Sequence, residues 1–354
     1  MSPSGATSFV NAHTHIYSGL APFGMPAPRQ APQNFLQILE RIWWRLDRAL
    51  DERSLRASAR LYVAEALLRG TTVLVDHHES PSFIEGSLDV LADTCQELGM
   101  RALLCFGATE RNGGPEEARH GLEECRRFVR TNTRPLVRGL VGLHASFTVS
   151  DQTVRAAGEL CGELNTELHV HVAEDAADVE DARRRGWPGP LERLAELGAL
   201  PGGSILAHGV HLTSDQVRRA RDMGCWLVQN PRSNRGNGVG YPAALAASDR
   251  VALGTDGFVS DMRQEQRALE EEARAHGDDM TAVSTRAQAG HRLVEEHFGP
   301  VSDTCTMDAN GAREVMIGRR FVVRGGRLVT GDIETIRAAA RDEAPRLWKR
   351  METT

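Results

Sequence analysis

The sequence predicts an α/β protein in which eight parallel strands alternate with helices and close into a (β/α)8 barrel of the TIM type, followed by a short C-terminal β/α tail. Short apolar runs alternate with segments of helical periodicity eight times between residues 8 and 297. Alternating strands and helices are typical of a parallel sheet, and eight units over this length favour a barrel over an open doubly wound sheet. No G-x-G-x-x-G motif follows the first strand, which argues against a dinucleotide-binding fold.

The first half of the chain supplies four of the strands. They are predicted at residues 8–15, 71–78, 100–107 and 136–144, and the helices at residues 35–50, 52–69, 84–98, 115–131 and 151–164. Gly70 and Gly99 follow two of these helices, at the position where glycine commonly ends a helix. Trp43 and Trp44 would fall on adjacent faces of the first helix, so we expect at most one of them to line a cavity.

The second half completes the series and then changes in character. Its strands are predicted at residues 166–172, 203–208, 225–230 and 250–256, and its helices at residues 189–198, 214–223, 241–248, 261–275 and 280–297. Residues 313–331 predict two or three short strands, and residues 332–351 predict a closing helix. We therefore expect a barrel domain over residues 1–300 and a tail over residues 301–354 that is too short to form a domain of its own.

The composition is that of a soluble globular protein and argues against several kinds of partner. Of the 354 residues, 41% are hydrophobic and 25% are charged. A net charge of −6 gives no reason to expect nucleic acid or an anionic membrane as a partner. The N-terminus does not resemble a signal peptide, and the six scattered cysteines form no C-x-x-C pair. We therefore expect a cytoplasmic protein with reduced thiols.

The strongest functional signal is the pair His13 and His15 at the end of the first predicted strand. Alternate residues of a strand point to the same face, so these two imidazoles can share one metal ion. Three later apolar runs end in similar residues, namely His169, His171 and Glu174, then His208 and His211, and finally Asp256. A single H-x-H motif is more often a chance pattern on a surface strand. Four such clusters at strand ends, which meet at one face of a barrel, predict a metal site.

These motifs resemble those of the amidohydrolase superfamily, in the mononuclear branch that contains cytosine, guanine and S-adenosylhomocysteine deaminases. NAHTH, HVHVAED, AHGVHL and GTDG match the four motifs of that branch in order and spacing, and IYSGLA, VDHHESP and NPRSN are similar to SsnA-type aminohydrolases. The resemblance covers the predicted barrel. It implies that one divalent metal ion per subunit is held by His13, His15, His171 and Asp256. We expect zinc, with iron and manganese as alternatives.

Two departures from the family pattern shape further expectations. Binuclear members of the superfamily need a carboxylated lysine after the fourth strand, and Lys349 is the only lysine here, so we expect one metal ion. Family members also carry a small β-sandwich built from segments on both sides of the barrel. Only seven residues precede the first predicted strand, so we expect a truncated sandwich whose remaining strands lie in the tail.

The resemblance also implies the catalytic roles. A divalent cation lowers the pKa of a bound water towards about 7. Asp256 would take a proton from that water, Glu174 would protonate a ring nitrogen of the substrate, and His208 would orient the water or stabilise the oxyanion. Asp175 is the alternative to Glu174, and His211 is the alternative to His208.

The predicted function is hydrolysis of a non-peptide C–N bond, as in deamination of a cyclic amidine such as a purine, pterin or pyrimidine. The alternatives are a ring-opening cyclic amide hydrolase or a chlorohydrolase on the same site, and a barrel relic that binds metal without catalysis. Glu174 and His208 argue against the relic, because a relic need not keep catalytic groups that are not ligands. The partner would be a small N-heterocyclic substrate, with possible contacts at Trp43, His78, Arg111, His144 and Asn234.

The tail motivates a prediction about assembly. Phe321, Val323 and Leu328 alternate with polar residues in GRRFVVRGGRLV, and such a strand face needs an apolar surface to cover it. Because symmetric pairing is the commonest solution in soluble oligomers, we predict a homodimer.

Overall fold

The computed structural model of the protein describes residues 8–354. The barrel strands are β1 (Phe9–Thr14), β2 (Thr71–His78), β3 (Arg101–Ala108), β5 (Val141–Ala145), β6 (Leu168–Val172), β7 (Ile205–His208), β8 (Trp226–Gln229) and β9 (Val251–Leu253), with a short β4 (Val137–Gly139) paired to β3. The eight barrel strands are parallel and lie side by side in chain order. A parallel bridge between Thr14 and Asp256 joins the first strand to the segment after the last one. The predicted (β/α)8 barrel is confirmed.

Helices surround the barrel, and short irregular helical turns lie between them. The α-helices are α1 (Phe35–Ile38), α2 (Trp44–Ala49), α3 (Glu52–Leu68), α4 (Ser87–Leu98), α5 (Pro115–Thr131), α6 (Asp151–Leu164), α7 (Ala176–Arg184), α8 (Pro190–Glu196), α9 (Ser214–Asp222), α10 (Pro231–Asn237), α11 (Met262–His276), α12 (Met280–Phe298) and α13 (Ile333–Met351). Three 3-10 turns cover Ile16–Leu20, Ser146–Thr148 and Ala243–Ala247. No helix within residues 8–354 is both long and apolar enough to cross a bilayer.

Local sequence signals explain where several helices begin. Asp51 accepts a hydrogen bond from the backbone N–H of Ser54 at 2.8 Å, and Thr213 does the same for Gln216 at 3.3 Å. Such caps satisfy backbone donors that lack a partner in the first helical turn. The strands between the helices are buried on both faces, and every residue of β2 and β3 is buried. This is the environment of a parallel barrel strand, which explains their continuous apolar character.

Two helices were not predicted, and both carry polar residues on their inner faces. Helix α7 buries Asp178 and Asp181 beside Ala182, so its sequence lacks an apolar stripe. Helix α10 begins at Pro231 and buries a run of polar side chains that face the site described below. The predicted strand at residues 136–144 is also divided in two, into β4 and β5.

The helix predicted at residues 35–50 is interrupted by a π-helical turn at Leu39–Trp43. A π turn adds one residue to a helical turn and so changes the direction in which the following side chains point. Such turns are frequent at functional sites. Trp43 and Trp44 consequently both line the main cavity of the barrel. The expectation that only one of them would do so is wrong.

The C-terminal tail is an antiparallel sheet of β10 (Thr304–Asp308), β11 (Gly311–Ile317), β12 (Arg320–Arg324) and β13 (Arg327–Leu328), followed by α13. Strand β10 was not predicted. The sheet packs on α3, and α13 packs along α3 and α2. Val323 is 0% exposed and Leu328 is 8% exposed, so these residues are covered by the chain itself, whereas Phe321 is 39% exposed. The expectation that Val323 and Leu328 need a partner surface is therefore wrong. The homodimer stays a prediction.

Candidate active site

Five side chains from four strand ends converge at the C-terminal mouth of the barrel. His13 and His15 come from β1, His171 from β6, His208 from β7, and Asp256 follows β9. Oδ1 of Asp256 lies 2.9 Å from Nε2 of His15 and 3.4 Å from Nε2 of His13. Nε2 of His171 lies 3.3 Å from Nε2 of His15. The donor atoms of His13, His171, His208 and Asp256 all lie within 4.8 Å of one another, as the ligands of one cation do.

The opposite ring nitrogens of these histidines are held by hydrogen bonds. Nδ1 of His15 lies 2.6 Å from the carbonyl oxygen of His77, and Nδ1 of His171 lies 2.5 Å from that of His144. Each Nδ1–H therefore donates to a carbonyl, so Nε2 is the nitrogen that carries the lone pair whenever the ring is neutral. Such outer hydrogen bonds fix the tautomer and the orientation of histidines that bind a metal.

Two of the converging nitrogens have a carboxylate nearby but make no hydrogen bond within residues 8–354. Nε2 of His13 and Nε2 of His208 are buried and make no hydrogen bond to any described residue. A buried polar atom without a partner is costly unless a ligand satisfies it. Imidazole and carboxylate donors suit zinc, iron or manganese, so the residues present fit a divalent transition-metal ion.

The charge states of the histidines also bear on metal binding. Burial lowers the pKa of His13 to about 3, and burial holds the pKa of His171 well below its usual range, so both rings are neutral at pH 7. Burial also acts to lower the pKa of His15, but the carboxylates of Glu79 and Asp256 outweigh it and raise that pKa to about 10. A metal ion must therefore displace a proton from His15 in order to bind there.

His169 lies two residues before His171 on the same strand, β6. Its Nε2 is 2.9 Å from Nδ1 of His13, so it orients that ring. His77 lies near the end of strand β2 and was not among the predicted site residues. Its Nε2 lies 3.0 Å from the carbonyl oxygen of Leu143 and its Nδ1 lies 2.6 Å from Oε1 of Glu79. Both ring nitrogens therefore face an oxygen atom, and these two contacts fix the orientation of the His77 ring.

Glu79 supplies a buried negative charge beside His15, at 3.6 Å from its Nδ1. Burial favours the neutral acid, but the neighbouring His15 and His77 rings hold the pKa of Glu79 well below its usual range. Gly107 makes room for this pair, because a Cβ there would lie 2.5 Å from Cε1 of His77. The sequence signal was the polar run HHES at the end of β2, which we assigned only to a possible substrate contact.

Glu174 lies beside His208, with 3.6 Å between Oε2 and Nε2. Its other oxygen accepts a hydrogen bond from Asn237 at 3.3 Å. Burial raises the pKa of Glu174 to about 7, so the carboxyl group can carry a proton near neutral pH. By contrast, Asp175 caps α7 by accepting a hydrogen bond from Ala177 at 2.9 Å. His211, the alternative to His208, is exposed and lies on the outer surface of the barrel.

Backbone geometry at the strand ends is unusual for non-glycine residues. Ala173, His208 and Asp256 have φ angles of 50°, 73° and 53°. Left-handed conformations of such residues cost free energy, and they cluster at functional sites. Gly257 allows Trp43 to pack closely against this edge, because a Cβ there would lie 2.9 Å from Cη2 of Trp43. The oxygen Oδ2 of Asp256 accepts a hydrogen bond from the hydroxyl of Ser233.

A narrow cavity of about 50 Å³ lies above the cluster. Aromatic side chains form much of its wall: Tyr17, Phe35, Trp43, Trp44 and Phe147. Six carboxylates also line it: Asp47, Glu79, Glu174, Asp175, Asp178 and Asp256. Within residues 8–354, no lysine or arginine contributes to the wall.

Of the five predicted substrate contacts, Trp43 and His144 line this cavity, whereas the other three do not. His78 is fully buried and its Nε2 lies 2.8 Å from the hydroxyl of Ser80. Asn234 holds the catalytic candidate His208, with 2.9 Å between its Oδ1 and Nδ1 of the ring.

Arg111 does not line the cavity either, but it contacts two residues that do. It pairs with Asp47 at 2.8 Å and lies 4.8 Å from the centre of the Trp44 ring. Sequence patterns did not indicate Asp47, Tyr17 or Asn237 as wall residues. Asp47 follows the π turn, Tyr17 lies on the 3-10 turn after β1, and Asn237 lies on α10.

Comparisons with known proteins agree with this architecture. An 8-oxoguanine deaminase from Pseudomonas aeruginosa is 30% identical over 268 residues, which are 71% of this chain and 59% of that protein. A 5-methylthioadenosine/S-adenosylhomocysteine deaminase from Thermococcus sibiricus is 27% identical over 318 residues, which are 85% of this chain and 72% of that protein. The chain thus spans less than two thirds of the first relative's length.

Solved structures show the same fold at lower identity. An adenosine deaminase from Xanthomonas campestris with bound zinc superposes with a TM-score of 0.81 at 22% identity, covering 99% of this chain and 86% of that one. Atrazine chlorohydrolase from Arthrobacter aurescens in complex with zinc gives a TM-score of 0.79 at 18% identity, with 96% and 88% covered. The model of the amidohydrolase family matches residues 7–303, and the chain belongs to that family.

Proposed function

We propose that this protein is a metal-dependent hydrolase that deaminates a flat, purine-like N-heterocycle. The observation that carries the proposal is the convergence of four Nε2 atoms and the Asp256 carboxylate beside a carboxyl group, Glu174, whose pKa is about 7. The deaminases among the relatives support the reaction type.

We assign the metal ligands to His13, His15, His171 and Asp256, and we expect one ion per subunit. Zinc is favoured because two neighbours in fold contain it, and iron or manganese would suit the same donors. When bound, a divalent cation supplies a Lewis acid that makes water a nucleophile at neutral pH.

The residues of the chain would then move protons. Asp256 lies against both His13 and His15, and those rings, opposing the effect of burial, hold the pKa of Asp256 well below its usual range. It can accept the proton of an attacking water. Glu174, protonated near pH 7, can give a proton to a ring nitrogen of the substrate, which makes the neighbouring carbon electrophilic. His208, whose Nδ1 is held by Asn234, can orient the attacking water through Nε2.

The cavity restricts the substrate class. The wall carries no arginine or lysine, and the pKa values of its Glu79 and Asp256 lie well below the usual range, so these two carboxylates are charged and repel anions. A substrate with a phosphate or carboxylate group is therefore disfavoured. The aromatic wall suits a flat ring system. A neutral N-heterocycle rich in N–H groups fits both properties. We retain the expectations that the partner is this small molecule, not nucleic acid or a membrane, and that the location is cytoplasmic.

A screen for ammonia release tests the proposal. Zinc-loaded protein is incubated with aminopurines, aminopterins, aminopyrimidines and their nucleosides, and ammonia is measured with a coupled enzyme. We expect release from at least one neutral heterocycle and none from nucleoside monophosphates. Ring-opened products without ammonia would favour the cyclic amide hydrolase. Chloride release from a chlorinated triazine would favour the chlorohydrolase.

If no compound in the screen is converted to any of these products, the remaining hypothesis is a barrel that binds metal without catalysis. Glu174→Gln is the control for the screen, because it should retain the metal and the fold while losing turnover.

A further inference from the structure

A polar hollow lies at the end of the barrel opposite the candidate active site. It has a volume of about 500 Å³ and is lined by β4, by the segment before β6 and by the last turn of α12. Glu167, which lines the hollow, precedes β6, whereas Glu174, which lines the catalytic cavity, follows the same strand. The five residues of β6 span roughly 16 Å, so the hollow and the catalytic cavity are separate.

One wall of the hollow contains a buried histidine that the proposed reaction does not use. His297 lies in the last turn of α12, and its side chain is 4% exposed. Its Nε2 is buried and has no hydrogen-bond partner within residues 8–354. Nδ1, on the other side of the ring, faces Oε2 of Glu167 at 3.4 Å. A buried polar atom without a partner is costly, so a group bound in the hollow would stabilise this ring.

An arginine without an ion pair lines the same hollow. Arg138, on β4, is exposed, and no carboxylate in the described part of the chain pairs with it. Arg134 and Glu296 also line the hollow, but each forms an ion pair of 2.6 Å with a residue outside its wall. The charges of Arg134 and Glu296 are therefore compensated elsewhere, and the guanidinium group of Arg138 is available to a ligand.

The charges that remain favour an anion once His297 carries a proton. Burial lowers the pKa of His297; the carboxylates of Glu167 and Glu296 oppose this effect, and Arg138 adds to it. An anion at Nε2 would add a second negative charge beside the ring and so favour its protonated form. Glu167 would then compensate the Nδ1 side, while Nε2–H and the Arg138 guanidinium both face the ligand.

The donors around the hollow suit an anion with several oxygen atoms. The side chains of Thr133 and Asn165 also line it, and neither makes a hydrogen bond to another residue between 8 and 354. A guanidinium group matches the geometry of phosphate oxygens, and hydroxyl and amide groups can donate to the oxygens that remain. The volume exceeds that of an isolated ion, so the anion would be one group of a larger molecule.

We propose that this hollow binds the phosphate group of a small molecule, with Arg138 and His297 as its charged contacts. The inference is independent of the proposed deamination, because the two cavities lie at opposite ends of the barrel. The catalytic cavity disfavours anions, so the ligand of the hollow would be an effector and not the substrate.

Titration with inorganic sulfate tests the site. Sulfate has the shape of a phosphate group and keeps its charge between pH 6 and pH 8, so any pH dependence comes from the protein. The metal-loaded full chain is isotopically labelled in its histidine rings, and the ring signals are followed by NMR at constant ionic strength. The His297 signal is identified by its loss in His297→Gln.

We expect sulfate to shift the His297 signal in a saturable manner and towards the protonated form. Affinity should fall as pH rises, by up to about tenfold per pH unit, because binding takes up one proton. Arg138→Gln should weaken sulfate binding by about tenfold or more, since a hydrogen bond between charged groups is lost.

The matched control is Arg324→Gln. Arg324 is exposed and lies over the Phe321 ring at 5.3 Å, as Arg138 lies over the Phe298 ring at 5.2 Å. It likewise has no ion pair within residues 8–354, but it lies outside the wall of the hollow. Its replacement removes the same charge from the protein and should leave the response of His297 to sulfate unchanged.

Three results would overturn the proposal. Equal weakening by Arg138→Gln and Arg324→Gln would indicate a general attraction of anions to the protein. A His297 signal that sulfate does not move would indicate that water alone fills the hollow. Acetate that binds as tightly as sulfate would indicate a site for carboxylates instead of phosphate groups. None of these results depends on ammonia release, so they leave the test of the proposed function intact.

Discussion

The carboxylate of Asp256 lies 2.9 Å from Nε2 of His15, which joins the segment after the last barrel strand to the end of the first. The backbone bridge between Thr14 and Asp256 closes the barrel at the same point. Closing the barrel therefore also brings these candidate metal ligands together, since Asp256 would not reach His15 in an open sheet.

Metal content follows directly from this arrangement. We expect about one transition-metal ion per chain, with His13→Ala or Asp256→Ala removing most of it. His211→Ala is the matched control, because it deletes an exposed histidine outside the cluster. Elemental analysis of the purified proteins measures the ratio. Two ions per chain, or full activity without metal, would contradict the ligand assignment.

Metal affinity should rise with pH. The pKa of His15 is raised to about 10, so at pH 7 the ring is protonated and binding must release that proton. Below this pKa, affinity should increase by about tenfold per pH unit if one proton is displaced. Competition with a chelator of known affinity between pH 6 and pH 8 measures the slope. A slope of zero would mean that His15 is neutral before the metal binds.

Glu174→Gln should retain metal and stability but reduce kcat by about 10²–10⁴-fold, the usual cost of losing a general acid. The protonated form is the active acid, and its pKa is about 7, so the activity of the unaltered protein should fall as pH rises above 7. Asp175→Asn is the control, because asparagine also caps a helix and only the charge is lost. Near-normal turnover by Glu174→Gln would move the role to Asp175.

Asn234→Ala should lower kcat more than it raises KM. Asn234 accepts a hydrogen bond from Nδ1 of His208 at 2.9 Å and does not line the cavity, so its loss should free the ring to rotate or change tautomer. The expected loss is about 10-fold to 100-fold, as for other residues that orient a functional histidine. Steady-state kinetics separate the two constants. A change confined to KM would instead make Asn234 a substrate contact.

The sequence by itself determined the barrel and the positions of the candidate ligands. A barrel strand is buried on both faces and a helix on one face, so each kind of element has its own pattern of apolar residues. These patterns are local, and the sequence shows eight of each in alternation. Since strand ends of a parallel barrel meet at one mouth, His13, His171 and Asp256 could be placed together without coordinates.

Only the tertiary structure decided the wall of the cavity and the covering of the tail. Trp44 and Asp47 reach the cavity because a π turn shifts the face of α2, and Asn237 reaches Glu174 from a short polar helix. Such contacts depend on helix phase and on how neighbouring elements dock, which no local pattern encodes. The same holds for Val323 and Leu328. Their alternation with polar residues suggested a partner surface, but they are buried within the chain itself.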